Sequence, residues 1–508
     1  MQKDQRIQMS TKNKTLFLFT SWCSKRKHHI LFFLLGMFLF RLIFTIYIDQ
    51  DEYEGIQTAW LMMNGKHIYV DFMQHHHPFS YFLYMPFIYI LGEDAFIILA
   101  CRLVSWVFAL GILIQLSYLI RKFSIPFWAE MLSLLSLTFC SSYYIPVLQV
   151  RPDPSMLFFA LCGIQLLIRK NGSVTNSAKM LLFSGIFMGI SFGFLQKSIF
   201  LIFGTGLYLL FHSPKKKVNF RVAILFSIGF SLIALPLILV LSIYTGGFEN
   251  YFFWNWWINT KSLLTHSYIQ MFSNTLITAG LLIVFGIIGF VSSFFKPKHS
   301  ALKLIAMGLL LTFVFTIFLA KAIWIQYMLP LIVLLTIFEA DVLRTFFSKQ
   351  KKVLWISFIF LFFLLHKTLW VYFFPSSHQL LSTFVSYDLN RTEFLLQHTT
   401  KKDRILDGAP HLALFRYSVA PFYWWSRFPK GIVHSVKTLN HQPFDQHLII
   451  KRTSPVIINW HPVMQFDFKN PVFEKYLYLP KMRLFIRKDF YYSQINPSLN
   501  KSPAYEKK

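Results

Sequence analysis

From Ile30 almost to Phe374 the chain returns again and again to apolar runs of about 20 residues, the length a bilayer core demands of a helix. Inside hydrocarbon every backbone N–H and C=O must be paired, so runs of this kind can fold only as helices packed across a membrane. The spans fall near 30–48, 95–120, 127–145, 154–168, 179–195, 198–212, 220–244, 272–295, 302–320, 323–343 and 353–373. That is about eleven transmembrane helices, with thirteen as the upper bound, and residues 79–91 add a partial or interfacial helix. With 55% hydrophobic and 14% charged residues, the expected fold class is an α-helical polytopic membrane protein.

A formal net charge of +28 would suggest nucleic acid in a soluble protein, but here the positions of the cations exclude that partner. They gather in alternate loops: Lys25 to Lys27, Arg121 and Lys122, Arg169 and Lys170, Lys215 to Lys217, Lys296 and Lys298, and Lys349, Lys351 and Lys352. Such loops stay on the cytoplasmic side, whereas the intervening loops carry only isolated cations such as Lys66, Arg151, Lys197, Lys261 and Lys321. The basic tail 1–29 is therefore read as cytoplasmic. Loop 49–94, the Arg151 loop and everything beyond Phe374 are read as lying outside the inner (plasma) membrane. The run from Ile30 is a signal anchor rather than a cleaved leader, since no small-residue cleavage pattern follows it.

Beyond the membrane region, 30–373, the composition shifts to that of a soluble domain. Short β-like runs at Arg404–Leu406, His447–Ile450, Pro455–Trp460 and Met482–Arg487 alternate with helix-like stretches such as Ser382–His398. A small α/β extracytoplasmic domain over 374–495, with a polar tail at 496–508, is the expected arrangement. The four cysteines lie in the inner tail or the spans and imply no disulfide framework. No fixed-period repeat, Gly-rich dinucleotide motif or P-loop is present.

The chemistry is expected where the first span gives way to Asp49-Gln50-Asp51-Glu52-Tyr53-Glu54, then Asp71, then His75-His76-His77-Pro78. Ionisable groups beside an oily helix are costly to place without a use. From Ala95 to Phe374 the remaining acids are Glu130, Asp153, Glu249, Glu339 and Asp341, all at helix ends or in loops by these spans. A coupled transporter would carry them near the midplane of broken helices. A transporter or flippase of lipid-linked sugars thus takes second place, and a non-catalytic envelope assembly protein third. An enzyme acting on a lipid-carried substrate fits better, with a carboxylate to take a proton from an acceptor hydroxyl and cations to offset a departing phosphate. Arg151 and Lys197 are cations on the same side.

Asp51-Glu52, Gly65 leading to Tyr69-Val70-Asp71-Phe72, His76-His77-Pro78-Phe79, Gly92 through Arg102-Leu103, Arg151-Pro152-Asp153 and Gly189 through Lys197 together resemble the GT-C fold glycosyltransferases that use polyprenyl-phosphate sugars. The similarity is to the bacterial protein-mannosyltransferase-like and lipid A glycosyltransferase-like group, the family 39/83 type. It covers roughly the first 200 residues, with a weaker echo at Trp324-Ile325-Gln326-Tyr327 and Pro330. The resemblance implies inverting transfer of a hexosyl or pentosyl unit from a polyprenyl-phosphate donor to an envelope glycolipid, polysaccharide or protein acceptor, with no cofactor required. It implies Asp51 as base with Glu52 beside it, and Lys197 and Arg151 near the donor phosphate, with Asp153 and Tyr327 as further substrate-binding positions. Where the sister aminoarabinose transferases carry Glu-Lys-Pro-Pro, this chain has His75-His76-His77-Pro78, so the likeness does not extend to their sugar.

Each of these residues also has an ordinary structural reading. Asp51 and Glu52 could simply end a helix at the interface, Arg151 could pair with Asp153, and Lys197 could snorkel to headgroups. Asp71 either binds acceptor or orders its loop. His75 and His76 could ligate a divalent metal with His266, but adjacent histidines cannot all face one ion, and His77 is read instead as a substrate hydrogen-bond partner. Arg102, inside its span, requires a partner. The Tyr251–Trp257 aromatics are read as belt anchors, and Tyr53–Met63 as a helix lying in the interface.

Overall fold

The computed structural model describes residues 11–72, 74–170, 172–211, 216–257, 268–295, 300–315, 325–347, 388–407, 414–418, 456–458, 476–479 and 484–495. The expected span at 353–373, the run His447–Ile450, the tail 496–508 and His266 lie outside the described residues.

The membrane region is a bundle whose helices follow the apolar runs. They are α1 (Thr11–Ile43), α2 (Gln50–Met63), α3 (Phe79–Leu91), α4 (Ile97–Lys122), α5 (Phe127–Thr138), α6 (Ser141–Leu148) and α7 (Pro152–Leu167). Then come α8 (Ala178–Phe194), α9 (Ile199–Phe211), α10 (Lys216–Tyr244), α11 (Phe248–Phe252), α12 (Tyr268–Phe295), α13 (Ser300–Val314) and α14 (Leu329–Phe347). Among the described residues three helices are long and apolar enough to cross a bilayer unaided, Ile97–Lys122, Phe220–Tyr244 and Gln326–Thr345. Six more apolar helices are shorter.

Several boundaries differ from the sequence reading. The first helix stops at Ile43 instead of continuing to 48, because the buried Arg102 guanidinium takes the carbonyls of Ile43, Ile46 and Tyr47 at 2.6, 3.1 and 2.9 Å. The expected span 127–145 is two helices, α5 and α6, bent by 66°. The break follows Thr138, whose hydroxyl bonds back to the Leu134 carbonyl, a contact that bends helices. Glu339, expected near a helix end, is buried well inside α14.

Helices α8 and α10 approach closely through glycine. A Cβ at Gly185 would stand 2.1 Å from the Phe226 carbonyl oxygen, and one at Gly229 would stand 2.1 Å from that of Leu182. Small residues of this kind let backbones touch where lipid provides no hydrophobic drive.

Beyond the bundle five strands form one sheet: β1 (Arg404–Asp407), β2 (Tyr417–Ser418), β3 (Val456–Ile458), β4 (Tyr476–Leu479) and β5 (Leu484–Arg487). The order is β2-β1-β3-β5-β4, with β1 parallel to β2 and β3, and β5 antiparallel to β3 and β4. Strands β2 and β4 lie outside the β-like runs expected from the sequence. A helical segment at 388–398 precedes the sheet.

The main departure concerns α2. It does not lie in an interface with one wet face: every residue from Glu52 to Leu61 is buried. Tyr53, Gln57 and Trp60, spaced along one face, meet the segments before and within the sheet. The Gln57 amide gives a hydrogen bond to the Arg416 carbonyl at 2.7 Å and accepts one from Phe415 N–H at 2.6 Å. Trp60 packs against Tyr417, and its indole N–H reaches Glu93, which also holds Arg416 and Lys401. Tyr53 is capped by the Asp388–Thr392 turn.

Candidate active site

Helix α2 begins with reciprocal capping. Asp49 Oδ1 accepts the Asp51 N–H at 3.0 Å, and Glu52 Oε1 accepts the Asp49 N–H at 2.9 Å, which pairs two donors that a helix start leaves open. The cap fixes where the acids point. Glu52 turns inward to a two-point pair with Arg102, at 2.7 and 2.6 Å, and takes the Val150 N–H at 3.0 Å. Both carboxylate oxygens are thereby committed. Glu52, a catalytic candidate from the sequence, has the geometry of a positioning residue tying α2, α4 and the start of α7 together, and Arg102 has the partner its depth requires.

Asp51 faces the other way. Its carboxylate, 38% exposed, is paired with Arg151, which also faces Asp49 at 3.7 Å and Asp153 at 3.5 Å. Arg151 is the N-cap residue of α7 and Pro152 its first helical residue, so its side chain projects from a fixed helix start. Asp153 follows in the first turn, where a carboxylate suits the helix dipole. The Arg151–Asp153 pair of the ordinary reading is present, and the same buried guanidinium also serves Asp49 and Asp51.

Lys197 lies in the short 3-10 turn Gln196–Ser198 between α8 and α9. Its ammonium donates to Tyr327 Oη at 2.5 Å and stands 3.8 Å from the centre of that ring. The two line a small cavity of about 30 Å³ together with Asp153, Ser198, Thr312 and Gln326. Asp153, on the cavity wall, is also the acid that faces Arg151.

Other candidates are placed differently. His77 is buried with both ring nitrogens engaged, Nδ1 with the Phe192 carbonyl at 2.7 Å and Nε2 with Tyr251 Oη at 3.1 Å. Burial pushes its pKa down to about 4. In this arrangement His77 ties the first loop to α8 and to the segment after α10. Tyr251, Trp254 and Asn255 are buried as well, so that part of the aromatic run is interior and not a belt. Asp71 Oδ2 accepts the His67 N–H at 2.7 Å and closes its own turn, the loop-ordering alternative. His75 and His76 lie ring against ring, 3.9 Å between centres. Among the described residues no three His, Cys, Asp or Glu side chains are placed to hold a metal ion.

Two residues to which the sequence reading gave no role of their own adjoin the site. Gln196 donates to the carbonyls of His75 and Asn255 at 2.6 and 3.0 Å, fixing the turn that carries Lys197. Glu54, one turn beyond Asp51, is buried, with Oε1 3.6 Å from His75 Nδ1 and no hydrogen bond to that oxygen. Burial, and then the charge of Asp51, raise its pKa to about 8. It belongs to the acidic run in which the sequence places the chemistry.

Set against known proteins, the chain matches no family model and no curated protein. Solved structures do match. The crystal structure of ArnT from Cupriavidus metallidurans bound to undecaprenyl phosphate superposes with a TM-score of 0.64 at 12% identity, covering 91% of this chain and 98% of that one. The apo form of the same protein gives 0.59 at 11% identity, with the same coverage. The oligosaccharyltransferase AglB from Archaeoglobus fulgidus, in complex with an inhibitory peptide and a dolichol-phosphate, gives 0.53 at 10% identity over 94% of this chain and 78% of that one. Apolar helices and these neighbours together mark a multi-pass membrane protein, and the fold of the chain is that of the GT-C glycosyltransferases.

Proposed function

We propose that the protein is a glycosyltransferase that moves a monosaccharide from a polyprenyl-phosphate donor to a hydroxyl of an envelope glycolipid, polysaccharide or protein on the outer face of the plasma membrane. The observation that carries this reading is the partly exposed Asp51 carboxylate, held by a buried Arg151 that also faces Asp153 on the wall of the Lys197–Tyr327 cavity. A lipid donor keeps its tail in the bilayer and its phosphate at the interface, where helix ends supply the reacting groups. The structural neighbours with undecaprenyl phosphate and dolichol-phosphate support a donor of that chemistry.

In the step, Asp51 takes the proton of the acceptor hydroxyl as its oxygen attacks the sugar C1 from the side opposite the phosphate. The C1–O bond breaks, its electron pair passes to the phosphate, and the configuration at C1 inverts. Lys197 and Arg151 offset the charge that grows on the departing polyprenyl phosphate. The chain's own cations serve in that role.

Comparing the glycolipids and glycoproteins of cells with and without the protein identifies donor and acceptor. In that assay Asp51→Asn abolishes the product while the protein still accumulates in the membrane. Near-normal product from the variant would remove Asp51 as the base. Movement of lipid-linked sugar that survives Asp51→Asn, with no transferase product, would favour a flippase.

A further inference from the structure

Glu54, a buried acid beside Asp51, has no part in the proposed step, and its surroundings give it a task. Four carboxylates, those of Asp49, Asp51, Glu54 and Asp153, share the site with two cations, Arg151 and Lys197. Were all six charged, the site would repel the phosphate it must admit. Glu52 does not alter the balance, since Arg102 neutralises it.

We propose that the lipid phosphate binds together with a proton held on Glu54, so that donor affinity is linked to proton uptake at this residue. The inference rests on the donor reading above and adds how the same site accepts an anion. Glu54 faces Asp49 and Asp51 at the start of its own helix, and Arg151 across from α7. From the first loop it meets Gln74 and His75, with His76 stacked behind, and from α3 the phenol of Tyr81. Lys197 acts on the same histidines from the turn after α8. Burial holds His75 neutral, its pKa pushed down to about 3, so no imidazolium offsets the carboxylate. With Arg151 already shared by three other acids, protonation is the available way to cancel the Glu54 charge.

The direction of the linkage follows. The Glu54 pKa is raised to about 8 in the free protein, and a phosphate brought beside it raises it further. Below that pH the proton is already in place, and binding takes up none at Glu54. Above it each bound phosphate draws one proton from solvent, and affinity falls by up to about tenfold per pH unit until the bound-state pKa is passed. Asp49, raised to about 6 chiefly by burial, adds a separate step at lower pH, as does the second ionisation of the phosphate near about 6. Neither reaches the window above 8.

The test is binding of undecaprenyl phosphate to the purified full chain in detergent, from about pH 6.5 to about pH 9.5. The wild type loses affinity about tenfold per unit at the alkaline end, whereas Glu54→Gln, neutral at every pH, keeps its neutral-pH affinity there. A wild-type affinity that stays constant above pH 8, or a variant that declines in parallel with it, would overturn the proposal. A second measurement needs no variant: mixing lipid and wild type in weak buffer at about pH 8.5 takes up to about three-quarters of a proton per site, and zero uptake overturns the proposal. No binding at any pH would remove the donor reading itself, and this inference with it.

Discussion

Asp51 and Glu52 are adjacent acids of the same helix start, yet losing the charge has a different consequence at each. Glu52 is sealed against Arg102, and removing one partner of a buried pair leaves an uncompensated charge, a loss of about 3–5 kcal/mol. Glu52→Gln therefore lowers the thermal unfolding temperature of the purified protein sharply. Asp51 is more than a third exposed, so solvent screens its pairing with Arg151, and Asp51→Asn changes stability by no more than about 1 kcal/mol while removing the proposed base. If Glu52→Gln unfolded at the wild-type temperature, the positioning role given to that residue would fall. The sequence singled out both acids, but their division of labour came from Arg102 and Arg151, at 50 and about 100 residues' distance, which no local pattern reveals.

At the scale of elements, the α8–α10 contact sets its own limit on substitution. Either Gly185→Ala or Gly229→Ala drives a methyl into a facing carbonyl oxygen, and the helices must separate at a cost of about 1–3 kcal/mol. Gly280→Ala, whose new methyl would meet nothing within 4 Å, is the matched control and leaves the melting temperature unchanged or slightly raised. Equal melting temperatures for the three variants would refute the close approach. The helices themselves were legible because an apolar run of membrane length has few alternatives. Their ends were not: Arg102 decides where α1 stops, and the Thr138 hydroxyl marks where the next-but-one span breaks. Helix α2 was misjudged for a related reason. Its apolar face looked fit for lipid, but Gln57, an ordinary polar residue by sequence, is spent on backbone partners 358 and 359 positions away.

At the scale of the whole molecule, the structure separates the loops into two sets at opposite ends of the bundle. At one end Asp49 pairs with Arg151, His77 with Tyr251 and Lys197 with Tyr327. At the other, His28 meets Glu130, Lys122 holds the last carbonyls of α7, and Arg344 holds Phe123. These are the sets that the alternation of basic loops assigns to opposite faces. A phosphatase reporter that is active only outside the cytoplasm is accordingly active when fused after Gly246 and silent when fused after Lys170. The reverse pattern would invert the orientation and place the proposed chemistry in the cytoplasm.

The docking of α2 against the distal segments also carries a consequence for the order of synthesis. The helix bearing Asp51 leaves the ribosome within the first eighth of the chain, while the residues that cover Tyr53, Gln57 and Trp60 are made in the last quarter. For most of its synthesis the protein holds Asp51, the proposed base, on a helix with one flank still open. The helix is therefore among the first parts of the chain to be made and among the last to be fully packed.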